Sequence, residues 1–396
     1  MTTKPSLLYL TPVLPETGSS GGLILTLERL EVLSRHFDVT VLAIEASALA
    51  IARQTERFGL RAVLHAGRVI PRTVGGWIRS MASPYPFGVW RNRNVDFLRL
   101  ATQLGEHTAF DVTYVDHWLM WSAAQCLKAP GRRVLHLHNA EHLIYARAAE
   151  RARLPLRQVL GIEARRSGQY LRAICQEADE IHFISRTDAD EVLKLGGITR
   201  PIEIFLPNVP LEAGEFGRFG HDLLFVGTMS WAPNAEGARW YQDEIVPRLP
   251  AGYQSHIAGG YVDGIKPVTR GPLIWHGRVP DLAPLYRQAS VFVAPLLSGS
   301  GIKIKILNAL GRGLPVVTTR LGAEGFPPGW GDAVSVADSP EKFVAAIERL
   351  CSDRALWQRA SDAARPYLAR HFSPQAFNQW TAQIARAPRS PSASRA

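Results

Sequence analysis

A lysine and an asparagine in the stretch 291–319 have the residue types and the spacing to bind an anion. The stretch reads VFVAPLLSGSGIKIKILNALGRGLPVVTT, which predicts a strand, a glycine-rich turn, a helix and a second strand. Lys305 and Asn308 are three residues apart and share a helical face. The helix start, at 301–304, offers backbone N–H groups and the positive end of the helix dipole. A diphosphate is therefore predicted near Lys305, with Asn308 on a hydroxyl; the alternative is a turn with solvated lysines.

A second group of polar residues follows two predicted strands in the first half of the chain. His117 comes directly after the fourth predicted strand, and His138, Asn139 and Glu141 stand at the end of the fifth. Ligands of parallel sheets lie beyond the carboxyl ends of the strands, so these side chains are predicted to orient or bind a substrate. A structural role is the alternative for His117. No third ligand stands at a recognisable spacing, which favours hydrogen bonding over metal binding.

Strands and helices alternate in both halves of the chain, which predicts two doubly wound α/β domains facing each other across a cleft. Gly21 and Gly22 are predicted to form a loop after the first strand, just ahead of a helix. The predicted segments are a first domain at 1–206, a linker at 207–221, a second domain at 222–372, a C-terminal helix at 373–386 that packs back on the first domain, and a disordered tail at 387–396.

The net charge of +10 favours anionic partners, namely nucleotide substrates or acidic lipid headgroups. No aromatic–basic signature or helix-turn-helix spacing indicates nucleic acid. The segment 147–172 holds seven arginines, which predicts contact with anionic membrane lipids or steering of anionic substrates. The chain has three cysteines without ligand spacing and no apolar run of the ~20 residues that span a bilayer. A cytoplasmic protein that can reach the inner face of the membrane is predicted.

The two-glycine loop Gly21-Gly22 and four further stretches of the sequence together resemble the glycosyltransferases with two Rossmann-like domains, the GT-B architecture, and especially the retaining family 4 of the bacterial surface-polysaccharide type. The four further stretches are HNAEH at 138–142, LLFVGTMSWAPNAEGARWYQDEIVPRLP at 223–250, HGRVPDL at 276–282 and PLLSGSGIKIKILNALGRGLPVVTTRLGAEGF at 295–326. The resemblance implies a nucleotide-sugar donor, most often UDP- or GDP-linked, and a glycan, lipid-linked or other hydroxyl acceptor. It implies no cofactor. No DxD-like metal site appears at a plausible strand end, so no divalent metal is expected.

The resemblance also implies roles for individual residues. His117 matches the family histidine that contacts the donor sugar, and His138, Asn139 and Glu141 are assigned to the acceptor. The donor site is assigned to Gly21, Gly22, Gly227, Thr228, Arg278, Val279, Gly299, Ser300, Gly301, Ile302, Lys303, Ile304, Lys305 and Asn308.

The chain departs from the family pattern at two pairs of positions. Ser300 and Asn308 stand where the E-x7-E pattern has two glutamates. Thr228 and Asn234 stand where many members carry an arginine and a lysine that clamp the diphosphate. Other cations must then neutralise the leaving nucleotide, and the candidates are Lys303, Lys305 and Arg278 together with the helix N-terminus.

Three functions are consistent with this pattern. The first is a sugar transferase of polysaccharide or glycolipid assembly. The second is a nucleotide-sugar epimerase, against which the missing glutamates count. The third is a non-catalytic scaffold or nucleotide-binding subunit, which Ser300 and Asn308 make possible.

Overall fold

The computed structural model describes residues 4–17, 20–208, 211, 216–260 and 271–386. This part of the chain divides into two compact units. The first unit comprises the described residues up to Phe205 together with 374–386, and the second is Leu206–Ser373. The predicted disordered tail and part of the predicted linker lie outside the described residues, and the predicted domain bounds stay predictions.

Seven strands and ten helices are described in the first unit. The strands are β1 (Ser6–Leu14), β2 (Asp38–Ala46), β3 (Ala62–His65), β4 (Val112–Asp116), β5 (Arg132–Leu137), β6 (Glu180–Phe183) and β7 (Ile202–Ile204). The helices are α1 (Gly21–His36), α2 (Ala48–Phe58), α3 (Val74–Met81), α4 (Phe87–Asn92), α5 (Val95–His107), α6 (Trp121–Ala124), α7 (Glu141–Arg151), α8 (Leu156–Glu177), α9 (Arg186–Leu193) and, at the end of the described chain, α15 (Gln375–Arg386).

Six strands and five helices are described in the second unit. The strands are β8 (Asp222–Val226), β9 (Gln254–Ala258), β10 (Leu273–Gly277), β11 (Val291–Ala294), β12 (Val316–Thr318) and β13 (Val334–Val336). The helices are α10 (Ala232–Trp240), α11 (Ala283–Gln288), α12 (Ile304–Gly311), α13 (Pro340–Ser352) and α14 (Arg354–His371).

Each unit is built on one parallel sheet. The strand order is β3-β2-β1-β4-β5-β6-β7 in the first unit and β10-β9-β8-β11-β12-β13 in the second. The central strands read as continuous apolar runs because helices cover both faces of a parallel sheet. In each sheet the order reverses beside the first strand of the unit, between β1 and β4 and between β8 and β11, which is where doubly wound folds bind ligands. The prediction of two Rossmann-like domains is confirmed.

Helix α15 belongs to the first unit although it follows the second unit in sequence. Its buried Phe377 and Trp380 lie in the same core cluster as Phe205. The ring centroids of Phe205 and Phe377 are 5.1 Å apart, and Arg29 lies 4.1 Å from the centroid of Phe377. Trp380 Nε1 also donates a hydrogen bond of 2.6 Å to Glu180 Oε1. The last helix therefore completes the core that the first 205 residues begin.

Several predicted boundaries near the site differ from the structure. Gly21 and Gly22 form the first turn of α1, with Ser20 as N-cap, rather than a loop ahead of it. Helix α12 begins at Ile304, not at 301, because Lys303 has non-helical dihedral angles and the glycines before it have positive φ. The helical pattern of residues 234–248 predicts one helix, but α10 ends at Trp240 and the chain then forms a π turn and a 3-10 turn. Strand β7 has only three residues and was missed.

Candidate functional site

A lysine marks the switch point of the second sheet. Lys305 lies in the first turn of α12, and its Nζ donates a hydrogen bond to Asn234 Oδ1. The side-chain amide of Asn234 in turn donates 2.9 Å to the carbonyl of Thr228, in the turn after β8. The Lys305 ammonium is also 4.9 Å from the ring centroid of Phe225. The end of β8 and the start of α12 are thus joined around one cation.

The surroundings of Lys305 disfavour its charge when no ligand is bound. Burial, and to a smaller extent the charge of Lys303, lower the pKa of Lys305 to about 7. Among the described residues, no carboxylate forms an ion pair with Lys305. Because a nearby negative charge favours the protonated form, an anionic ligand at this place would be held by the ammonium and would restore its pKa.

Glycine is required at position 227 for the lysine to occupy this place. A Cβ at Gly227 would lie 2.9 Å from Lys305 Nζ and 2.9 Å from Asn234 Nδ2, closer than real Cβ contacts allow. Gly259, at the end of β9, approaches from the other side, where an added Cβ would lie 1.8 Å from the Gly227 carbonyl oxygen. At the carboxyl end of β8 no side chain covers the backbone of Gly227, so a diphosphate can approach it closely.

The turn between β11 and α12 contains two glycines with positive φ and is held by side-chain contacts. Gly299 and Gly301 have φ of 107° and 79°, in the region that favours glycine. Ser298 Oγ donates 2.5 Å to Glu236 Oε2 on α10. Ser300 is buried and Ile302 precedes the helix. This turn is consequently fixed beside Lys305.

The structure brings together only part of the predicted donor site. Gly227, Thr228 and Lys305 meet, and Asn308 lies one turn further along α12. Arg278 and Val279 follow β10, which β9 separates from β8, and Arg278 is exposed. The predicted roles of these residues stay predictions.

In the first unit, a buried carboxylate organises the histidines at the sheet edge. Asp116 Oδ1 is 3.0 Å from His136 Nδ1 and 2.8 Å from His138 Nε2, and Asp116 Oδ2 accepts 2.6 Å from Thr26 Oγ1. Burial alone would raise the pKa of Asp116, but the charge of His138 and hydrogen bonds from His136 and His138 hold it well below its usual range. The ionised carboxylate thereby fixes the orientation of both rings.

His117 lies on the outer side of this network, at the end of β4. Its Nε2 is 3.4 Å from Glu141 Oε1, and its ring centroid is 5.1 Å from that of His138. Glu141 also accepts 3.1 Å from Asn139 Nδ2. Gly22 faces the same group, since a Cβ there would be 3.8 Å from His138 Nδ1. The first unit thus gathers His117, the three predicted acceptor residues and Gly22 at its own switch point.

Asp116, His136 and His138 form one group among the described residues whose ligand atoms all lie within 4.8 Å of one another. Such a group could hold a metal ion. The hydrogen bonds between them already explain the arrangement, and burial holds the pKa of His136 well below its usual range, so that this ring is neutral. The absence of a metal therefore stays a prediction.

Loss of the Asp116 carboxylate is expected to destabilise the first unit. Asp116→Ala leaves Thr26, His136 and His138 without their buried acceptor, which costs about 3 kcal/mol or more. Since the folded-state pKa of Asp116 is depressed, the wild-type contribution is present above the usual carboxyl range and is lost as the pH falls through the lower folded value. Urea unfolding followed by circular dichroism measures both effects.

Asp190→Ala is the matched control for this experiment. Asp190 is exposed on α9 and pairs with Arg186 at 3.0 Å, so its removal is expected to cost less than about 1 kcal/mol. If the two variants lose the same stability, the Asp116 network does not hold the histidines.

Sequence reasoning missed three residues of these sites. Asp116 and His136 were treated as strand residues, and Asn234 only as a lost clamp position. The alternation in HLH at 136–138, where β5 ends, was an available signal, because it puts His136 and His138 on one side. The contact between Asn234 and Lys305 had no signal, because these residues are 71 positions apart.

Comparison with known proteins shows which family the second unit resembles and which fold the chain has. Residues 220–353, within the second unit, match the family "Glycosyl transferases group 1". The second unit is therefore similar to this family, and the chain has the two-domain fold of the GT-B glycosyltransferases, as predicted. Membership of the retaining family 4 stays a prediction.

One sequence relative and two solved structures illustrate the match. An uncharacterized 44.6 kDa protein in the cps region of Klebsiella pneumoniae is 27% identical over 182 residues, 43% of this chain and 46% of that protein. The match thus spans about half the length of that relative. Anabaena Alr3699/HepE, solved in complex with UDP and glucose, has a TM-score of 0.66 at 11% identity and covers 97% of this chain and 100% of its own. Sucrose-phosphate synthase from Thermosynechococcus elongatus has a TM-score of 0.67 at 15% identity, covering 96% and 98%.

Proposed function

We propose that this chain is a glycosyltransferase that moves a sugar from a nucleoside diphosphate sugar, UDP- or GDP-linked, to an acceptor hydroxyl, with retention at the anomeric carbon. The observation that carries the proposal is Lys305, a partly buried ammonium at the switch point of a unit that is similar to the glycosyl transferases group 1 family. A diphosphate supplies the negative charge that this ammonium lacks among the described residues. The UDP and glucose bound by the Anabaena protein support this choice of donor.

The proposed chemistry asks for little covalent work from the protein. The bond between the anomeric carbon and the diphosphate oxygen breaks, and charge builds up on the phosphate oxygens. Lys305 and the backbone N–H groups at the start of α12 stabilise that charge. The acceptor oxygen forms the new bond on the same face, and its proton passes to the leaving phosphate. His117 contacts the donor sugar, while His138, Asn139 and Glu141 hold the acceptor.

The two missing glutamates weaken the hold on the donor rather than abolish it. Asn308 can accept and donate hydrogen bonds to a ribose hydroxyl, but without the strength of a charged acceptor. Gly21 and Gly22 approach the diphosphate in this proposal, and Arg278 with Val279 meets the base. A non-catalytic nucleotide-binding scaffold is the second candidate, which Ser300 and Asn308 favour.

We assign the reaction to polysaccharide or glycolipid assembly, without a resident cofactor or metal. The location of the Klebsiella relative in a cps region supports this assignment. No helix in the described ranges is long and apolar enough to cross a membrane. We place the protein in the cytoplasm, at the inner face of the membrane, where it contacts acidic lipids.

A panel of UDP, GDP, ADP and dTDP tests the proposal by thermal unfolding. A ligand at one hundred times its Kd stabilises the folded state by about 2.7 kcal/mol, so the midpoint must rise for the nucleotide that binds. Transfer of the sugar from the matching nucleotide sugar to water or an added glycan then separates enzyme from scaffold. No response to any nucleotide contradicts the proposal, and binding without turnover favours the scaffold.

A further inference from the structure

A short helix of the first unit exposes a row of apolar side chains. Val74, Ile78 and Met81 of α3 are 77%, 60% and 39% exposed. Their spacing of four and three residues puts them on one face of the helix, while Gly76 and Ser80 are buried on the other. An apolar stripe of this kind on a surface helix lacks the core contacts that usually cover it.

The same helix lies in a stretch without acidic residues. Residues 66–94 contain five arginines and no aspartate or glutamate. Arg72 and Arg79 are exposed beside the stripe. Arg91 and Arg93 are used internally, since Arg91 Nε donates to the Ile70 carbonyl and Arg93 lies 3.9 Å from the ring centroid of Tyr85. The exposed face of α3 is consequently both apolar and positively charged.

Helix α8 holds α3 in place through a partly buried arginine. Arg166 Nη2 donates 2.8 Å to the carbonyls of Ser80 and Ser83, and Arg166 Nη1 is 3.3 Å from Met81 Sδ. This arginine, one of the seven predicted to form a basic patch, is therefore structural and is not available to a ligand. Its contacts fix the stripe to the body of the unit.

Helix α8 continues the exposed surface. Ile162 is 41% exposed one turn before Arg166, and Arg165 is exposed beside it. At the start of α8, Leu156 is 54% exposed, and Leu154, just before the helix, is 69% exposed. Residues 151–162 again contain three arginines and no acid. We call the face formed by Val74, Ile78, Met81 and Ile162 with Arg72, Arg79 and Arg165 the basic–apolar surface.

We propose that the basic–apolar surface docks the first unit onto the surface of an anionic lipid bilayer, with the α3 stripe inserted at the headgroup boundary. Arginines beside exposed aliphatic and methionine side chains are the composition of an interfacial anchor. An anionic bilayer fits this surface, because every exposed charge named on it is positive and its exposed apolar side chains on α3 share one face of the helix. The proposal deepens the lipid contact of the proposed function, but its test does not depend on sugar transfer.

Cosedimentation of the full chain with vesicles tests this surface directly. Vesicles of phosphatidylcholine alone are compared with vesicles that also contain phosphatidylglycerol, at low and high salt. We expect binding to the anionic vesicles that weakens with salt. The double variants Val74→Ser/Ile78→Ser and Arg72→Gln/Arg79→Gln should each weaken this binding roughly tenfold or more.

Helix α2 supplies matched controls. Leu49 is 58% exposed and Arg53 is exposed, so Leu49→Ser and Arg53→Gln remove the same kinds of side chain outside the surface. Both should bind anionic vesicles as the wild type does. Equal binding by the α3 variants and the controls, or no binding of the wild type, overturns the proposal.

The nucleotide-induced rise in the unfolding midpoint is measured on the same variants. Circular dichroism shows that each variant is folded, and an unchanged nucleotide response shows that the substitutions on α3 leave nucleotide binding intact. If the wild type responds to a nucleotide but does not bind anionic vesicles, only the docking surface is contradicted. Vesicle binding without any nucleotide response contradicts the proposed function alone.

Discussion

Lys305→Met is expected to weaken nucleoside diphosphate binding roughly 30-fold, corresponding to about 2 kcal/mol for a charge-assisted hydrogen bond. Binding of the corresponding nucleoside should change little, since the ammonium meets the diphosphate and not the base. Isothermal titration with both ligands measures the two effects. Lys342→Met, an exposed lysine on α13, is the matched control and should leave both affinities unchanged. An equal loss for nucleoside and diphosphate contradicts the phosphate role.

The same lysine gives the wild-type affinity a pH dependence. The pKa of Lys305 lies at about 7, so the ammonium is charged below this pH and neutral above it. Diphosphate affinity should therefore fall as the pH rises through 7, and binding should take up a proton near neutrality. The phosphates titrate as well. The quantity to compare is therefore the slope of log Kd against pH, measured for the wild type and for Lys305→Met. Parallel slopes would show that Lys305 does not titrate with binding.

His117→Gly is expected to lower the rate of sugar transfer about 100-fold or more while leaving the fold intact. His117 has φ of 91°, the one positive value of a non-glycine residue in the described chain. Such a conformation costs about 1 to 3 kcal/mol in a non-glycine residue and persists mostly at functional sites. Glycine removes that strain together with the imidazole, so the unfolding midpoint should stay level or rise slightly.

The structural alternative for His117 makes the opposite prediction. His117 Nδ1 is 3.5 Å from the backbone N of Leu119, so the ring could serve only as a cap of the following turn. In that case His117→Gly lowers stability and spares turnover. His117→Asn separates the two roles, because asparagine tolerates positive φ and keeps a side-chain acceptor for the cap. Full activity of His117→Asn would show that the imidazole takes no part in transfer.

The sequence predicted both sheets well because parallel strands are buried on both faces. Apolar runs such as Leu7–Thr11 and DVTVLAI at 38–44 are typical of buried strands in a chain that alternates them with helical patterns. The positions of His117 and of the turn before α12 followed from the rule that ligands lie at the carboxyl ends of strands. These predictions needed only local patterns.

The contacts within each site depend on information that local patterns lack. Lys305 reaches Asn234 because β11 pairs with β8, and Asp116 reaches His136 because these residues are in register on β4 and β5. Register between strands is set by the whole sheet, not by neighbours in the sequence. The start of α12 was predicted three residues early because glycine can adopt either sign of φ. The sequence does not show that Gly299 and Gly301 have positive φ, which keeps them out of the helix.

The return of the chain to the first unit has a consequence for synthesis on the ribosome. Domains generally fold in the order in which they emerge, the N-terminal one first. Here Phe377 and Trp380 emerge only after all of Leu206–Ser373 has been made. The second unit is one continuous segment and can fold before them, whereas the core of the first unit stays incomplete until they arrive. A nascent chain arrested before residue 374 would expose the apolar residues that Phe377 and Trp380 cover, and chaperones could bind them. Docking of the last helix would displace the chaperone.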